Sequence, residues 1–105
     1  MKALILGLGL LISGLSWGST IQMFNALGSS PKGQYVAIEE YGYNSNQKSY
    51  YSRIKVMNVW KNHYVTEPVE IEKGARRPSD LVQVRKQALE QASIDLARFK
   101  IDLSG

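Results

Sequence analysis

The sequence predicts a small α+β domain, in which an antiparallel sheet of three or four strands is packed against one C-terminal helix. Three observations carry this prediction. Segments 34–43 and 50–60 alternate apolar and polar side chains, and a short polar link joins them. Segment 63–73 is strand-like but interrupted by a proline. From residue 80 to residue 99, apolar residues recur at helical spacings.

The composition limits the classes to which the protein can belong. The chain has 105 residues, a net charge of +4, 44% hydrophobic residues and no cysteine. That length suffices for one domain with one core. The missing cysteines exclude a disulfide scaffold, a thiolate metal site and a cysteine nucleophile.

Residues 1–18 have the three parts of a secretory signal. Lys2 supplies a positive start, residues 3–15 form an apolar run, and Ser16 and Gly18 provide the small exit residues. The run is shorter than the roughly 20 residues that cross a bilayer. We therefore predict a cleaved signal, with an uncleaved membrane anchor as the alternative, and a mature protein that is periplasmic or secreted. An exported protein is not expected to bind nucleic acid.

The mature chain is predicted to begin with a lead-in segment, residues 19–33, followed by one domain at 34–103. The lead-in ends in the sequence Ser30-Pro31-Lys32-Gly33, which has proline and glycine at the positions that β-turns favour. The first two strands, 34–43 and 50–60, are expected to form a hairpin. Pro68 is expected to make the third strand an edge strand or to split it in two.

The helix predicted at residues 80–99 is the strongest periodic signal in the chain. Ser79 is a suitable N-cap, and Asp80 favours the positive end of a helix dipole. The apolar stripe expected to cover the sheet consists of Val82, Leu89, Ala92, Leu96 and Phe99.

The order of several weak motifs resembles that of a bacterial family. The motifs are Ser-Pro-x-Gly-x-Tyr from Ser30, then residues 39–42 (Glu-Glu-Tyr-Gly), the tyrosine-rich second strand, Trp60, and Glu67-Pro68-Val69. Together with the alanine- and arginine-containing helix, this order is similar to that of the predicted secreted proteins called domain of unknown function 2259. The resemblance covers about residues 29–101 and implies a secreted location and a fold, but no catalytic residue. Lys32 departs from the aspartate usual in such turns, and the chain ends soon after the helix, as a short or truncated member would.

Glu39, Glu40 and His63 are the residues with possible catalytic chemistry. The two glutamates are adjacent on a strand, so their carboxylates point to opposite faces and cannot form an acid–base pair with each other. Structural ion pairing is the first interpretation, with Arg53 or Lys55 of the neighbouring strand as partner. A small hydrolase that combines Glu39 or Glu40 with His63 is the alternative function. No metal site or cofactor is predicted, because the single histidine has no accompanying ligand set.

Aromatic and basic residues are the candidates for binding. Six tyrosines and Trp60 lie within residues 35–64, and tyrosine and tryptophan suit recognition surfaces. A basic stretch precedes the helix, where cations oppose the helix dipole. The function predicted is a non-catalytic module that binds an envelope protein or an anionic envelope polymer, and touches a membrane only through an uncleaved signal segment. Its candidate contact residues are Tyr41, Tyr43, Tyr51, Trp60, Arg76 and Arg77.

Overall fold

The computed structural model describes residues 21–103, so the predicted signal at residues 1–18 lies outside the described residues. The five strands are β1 (Ile21–Ser29), β2 (Tyr35–Asn44), β3 (Ser49–Asn58), β4 (His63–Tyr64) and β5 (Val69–Gly74). One helix follows, α1 (Ser79–Arg98). The α+β class with a C-terminal helix is confirmed.

All strand pairings in the sheet are antiparallel. β1 pairs with β2, β2 pairs with β3, and the far side of β3 pairs with both β4 and β5. The two short strands therefore share one edge, interrupted at Pro68, whose nitrogen cannot donate to a ladder. The prediction that Pro68 makes the third strand an edge strand or splits it in two is confirmed, and the split gives four strands from the predicted segments.

The predicted lead-in is the first strand of the sheet, which corrects the interpretation of residues 19–33. β1 pairs along its whole length with β2, from Ile21 opposite Tyr43 to Ser29 opposite Val36. A bulge between Ala26 and Gly28 shifts the register and interrupts the alternation by which a strand is recognised. The turn that ends the segment is confirmed, since the Gly33 N–H donates to the Ser30 carbonyl at 2.9 Å and Gly33 has a φ of 75°.

The end of the chain returns to β1. After α1, the Asp102 N–H donates to the Ser29 carbonyl at 2.9 Å, and the two residues form an isolated antiparallel bridge. A Cβ atom built on Gly28 would lie 2.0 Å from the carbonyl oxygen of Asp102. Only glycine allows the two backbones to approach so closely. The last described residues thus cover the outer edge of β1 at its C-terminal end.

The helix packs over β3 and β5 and only marginally over β2. Its buried apolar residues recur every four positions, as Val84, Ala88, Ala92 and Leu96. The last three form one cluster with Ala37, Ile54 and Val56 of the sheet. Val82, which the sequence placed in the stripe, is exposed, whereas Val84 and Ala88 are fully buried. Because successive helical residues are about 100° apart, Val82 and Val84 point in nearly opposite directions, and the burial of Val84 places Val82 on the solvent side.

The start of α1 is stabilised by Asp80 and not by the predicted N-cap, Ser79. No side chain caps the helix from the residue before it, and Ser79 is already helical. The Asp80 carboxylate instead accepts the backbone N–H groups of Arg76 and Arg77, both at 3.0 Å. These two hydrogen bonds, first that from Arg77 and then that from Arg76, lower the pKa of Asp80.

Asp80→Asn is expected to lower stability at neutral pH and to change its dependence on acid. Because the pKa of Asp80 is lowered in the folded state, its ionised form stabilises the fold above the ordinary carboxyl pKa. This contribution is lost as the pH falls through the lowered value. The difference in melting temperature between wild type and Asp80→Asn should therefore be largest near pH 7 and shrink below about pH 4. Asp95→Asn, which removes an exposed ion pair with Arg98, is the control. A gap that stays constant down to pH 2 would contradict the assignment.

Candidate binding surface

The six predicted contact residues do not lie on one face of the sheet. Tyr41 and Tyr43 point to the side of β2 that faces α1, where the guanidinium of Arg85 stacks 3.7 Å from the ring centre of Tyr41. Tyr51 lies on the opposite side of the sheet and is buried. Trp60 is exposed in the turn after β3, which ends two residues earlier at Asn58. Alternation along each strand therefore divides the tyrosines between the two faces.

Tyr43 does come together with the basic stretch. In register across three strands lie Tyr43, Tyr50 and Lys73, and the rings of the two tyrosines meet edge to face with centres 5.7 Å apart. β5 ends one residue after Lys73, and the chain then passes through Arg76 and Arg77 into α1. We call this set the basic–aromatic end, comprising Tyr43, Tyr50, Lys73, Arg76 and Arg77.

A surface cavity of about 260 Å³ marks this end of the molecule, lined by Lys73, Gly74, Arg76, Arg77 and Asp80. Three of the lining residues are cationic, and none of the ion pairs found within residues 21–103 includes any of the three. The carboxylate of Asp80 accepts backbone hydrogen bonds, so both arginine side chains keep their donors. Arginine presents these donors as a planar fork that fits carboxylate and phosphate groups.

The sequence predicted Tyr43, Arg76 and Arg77 as contact residues and counted Lys73 in the same basic cluster, but it did not predict Lys73 or Tyr50 as contacts. The signal for Tyr50 was present, because alternation places it on the same side of β3 as the core residues that face α1. The signal for Lys73 was weaker, since it depends on the register between β3 and β5. The register depends on how many residues separate the two short edge strands around Pro68, and the sequence does not specify that number.

Glu39 has a structural role on the helix side of the sheet. Its side chain is only 3% exposed, and it accepts hydrogen bonds from Arg85 Nε at 3.0 Å, Arg85 Nη2 at 2.9 Å and Ser52 Oγ at 2.8 Å. Hydrogen bonding to Glu39 raises the pKa of Arg85. The predicted ion pairing is confirmed, but its partner is an arginine of α1 and not Arg53 or Lys55 of β3.

Glu40 points to the opposite face, as alternation predicts. Its Oε1 lies 2.9 Å from Lys55 Nζ and 3.6 Å from Arg53 Nη1, and its Oε2 accepts a hydrogen bond from Gln22 at 2.8 Å. Arg53 also pairs with Glu70 at 3.0 Å. This face of the sheet therefore carries a row of alternating charges across three strands, β2, β3 and β5, and Gln22 of β1 extends the row by a hydrogen bond.

His63 is exposed on β4, and its Nδ1 lies 3.2 Å from the carbonyl oxygen of Tyr64. Within the part of the chain that the structure describes, no hydrogen bond or ion pair joins His63 to Glu39 or Glu40. The same residues contain no cluster of three histidine, aspartate or glutamate side chains that could hold a metal ion. The structure thus does not assemble the pair on which the hydrolase alternative depends.

Comparisons with protein-family models, with curated proteins and with solved structures give no match to this chain. The resemblance to the family of predicted secreted proteins therefore stays a prediction. Among the described helices, none is long and apolar enough to cross a membrane.

Proposed function

We propose that the protein is a non-catalytic binding module of the cell envelope that holds an anionic polymer at the basic–aromatic end. The observation that carries this proposal is the group of three cations, Lys73, Arg76 and Arg77, that line one cavity and take part in none of the ion pairs among the described residues. Surface cations that serve only solubility are usually interspersed with carboxylates. Here the local carboxylate, Asp80, is used to hold the backbone.

An anionic chain fits this end better than a small anion does. The cavity is open to solvent on one side, and the cations follow one another along the link between β5 and α1. The edge-to-face rings of Tyr43 and Tyr50 continue the row beyond Lys73 and offer an apolar surface with polar tips. Repeated carboxylate or phosphate groups could pair with successive cations, while the backbone of the polymer rests on the rings. The predicted export would bring the protein into contact with anionic polymers of the envelope. An acidic envelope protein is the alternative ligand that the sequence leaves open.

The double variant Arg76→Ala/Arg77→Ala is expected to weaken binding to poly-L-glutamate or to polyphosphate. Two lost charge-assisted contacts should raise the dissociation constant by about tenfold or more. Fluorescence anisotropy of labelled polymer, measured at two salt concentrations, provides the readout. Binding should weaken with salt in the wild type and less steeply in the variant.

The matched control is Lys32→Ala/Lys61→Ala, which removes the same total charge from two exposed turns far from the basic–aromatic end. If the control weakens binding as much as the arginine variant, then net charge alone attracts the polymer and the proposal is wrong. Neutral dextran should not bind to either protein. Thermal melting of each variant establishes that both remain folded.

A further inference from the structure

The two edges of the sheet are protected very differently. The edge formed by β4 and β5 is split at Pro68 and carries the charged residues Glu70, Glu72 and Lys73. Short strands, proline and charge are the devices that prevent an edge from pairing with another chain. The β1 edge lacks these three, since it is nine residues long and contains no charge and no proline, and its bulge and the bridge to Asp102 lie only at its C-terminal end.

The outer side of β1 is open over a defined stretch. In the described residues β1 pairs only with β2, apart from the bridge between Ser29 and Asp102 at its end. Residues 22–26 are all exposed, and they end where the bulge between Ala26 and Gly28 begins. This leaves a regular, uncharged strand of five residues whose outward N–H and C=O groups have no strand to pair with. At its midpoint is Phe24, which is 67% exposed.

We propose that this edge joins a second copy of the chain, with the two β1 strands antiparallel about a two-fold axis at Phe24. A two-fold axis normal to the sheet places the helix-bearing faces of both copies on the same side. Residues paired across the new ladder must therefore project their side chains to the same face of the joined sheet. Centring on Phe24 satisfies this condition, because Phe24 meets its own copy, Met23 meets Asn25, and Gln22 meets Ala26. The interface would unite two five-stranded sheets into one.

A second copy fits this strand better than a charged partner does. The open stretch has no charge to complement one, whereas pairing with itself brings no like charges opposite each other. Phe24 against Phe24 forms the aromatic cross-strand pair that stabilises antiparallel ladders. The antiparallel arrangement also keeps apart the two turns that carry Lys32, because they lie at opposite ends of the shared ladder. The dimer uses none of the residues of the basic–aromatic end, of which only Tyr43 lies next to β1, opposite Ile21.

Single-cysteine crosslinking in the full chain tests this pairing, because the natural sequence has no cysteine. Phe24→Cys treated with a short bifunctional maleimide in the producing cells is expected to give a crosslinked dimer on a denaturing gel. Ile94→Cys is the control, since Ile94 is 77% exposed on α1 and lies away from β1. We expect no dimer from the control. Equal crosslinking of both variants, or none from Phe24→Cys, would overturn the proposal, as would a Phe24→Cys product with the mass of a different protein.

A charge at the axis provides the second measurement. Phe24→Lys places two like charges opposite each other and is expected to raise the dimer dissociation constant about fivefold or more by sedimentation. Ile94→Lys adds the same charge and should leave the constant unchanged. Because both positions are exposed, neither substitution should prevent folding. A wild type that remains a monomer throughout the measured concentrations would reject the two-fold pairing.

Discussion

Arg85→Ala is expected to lower the free energy of unfolding by about 3 kcal/mol, and by up to about 5 kcal/mol. The reason lies in the partner, because the Glu39 carboxylate lies inside the sheet–helix interface with its side chain 3% exposed. Without Arg85, two of the three hydrogen bonds to this carboxylate are lost and only that from Ser52 remains. Since Arg85 is itself 37% exposed, the lower end of the range is expected. Urea unfolding followed by circular dichroism measures the change.

Arg53→Ala is the matched control on the other face of the sheet. Like Arg85, Arg53 forms ion pairs, in its case with Glu40 and Glu70. The side chains of Arg53 and Glu70 are both substantially exposed. Its loss should cost less than about 1 kcal/mol. In a double-mutant cycle, adding Glu39→Gln to Arg85→Ala should recover part of the loss, because the buried charge is removed with its partner. The prediction is wrong if Arg85→Ala costs no more than Arg53→Ala.

Leu96→Ala is expected to cost about 2–5 kcal/mol, the second large effect. Leu96 is 5% exposed and belongs to the cluster that joins α1 to β2 and β3. Removing its side chain leaves a cavity in the only hydrophobic cluster found among the described residues, and the cysteine-free chain has no disulfide to compensate. The same urea titration gives the magnitude.

Ile94→Ala makes a strict comparison, since it lies two residues away in the same helix and loses a side chain of the same size. Ile94 is exposed, so its replacement should change stability by no more than about 0.5 kcal/mol. Similar losses at both positions would mean that α1 does not present its every-fourth-residue stripe to the sheet.

The strands with alternating side chains were predictable to within about two residues. β2 and β3 have β-branched and aromatic residues on both faces with short polar breaks between them, so their pattern identifies them without knowledge of neighbours. β1 was missed because its bulge breaks the alternation and its uncharged residues lie at an edge, where burial does not select them. Propensity alone cannot separate such a strand from a loop.

The rotation of α1 about its axis could not be read from the sequence. Apolar residues occur at Leu81, Val82 and Val84, so several stripes around the helix have similar hydrophobicity. Contacts with the sheet decide between them, and they bury Val84 and expose Val82. The partner of Glu39 was missed for the same reason. Arg85 follows Val84 in the chain, and only the observed rotation brings its guanidinium over β2.

The basic–aromatic end was partly predictable because charge and aromaticity can be counted directly in the sequence. Arg76 and Arg77 were identified from their position before the helix, and Tyr43 from its crowding with other aromatic residues. The row from Tyr43 to Lys73 required the register of three strands, which depends on loop lengths and not on composition.

The bridge between Ser29 and Asp102 also orders events during synthesis. The first described strand can meet β2 as soon as the turn at residues 30–33 has emerged, so most of the sheet forms from contacts close in sequence. The contact with Asp102 cannot form until α1 has been synthesised. Closing the loop from Ser29 to Asp102 lowers the conformational entropy of the chain, and packing of the helix on the sheet offsets this loss. While the chain is being made, β1 is therefore unguarded along its entire outer side. A chaperone that shields this strand until the last residues appear would protect the protein when it is most prone to aggregate.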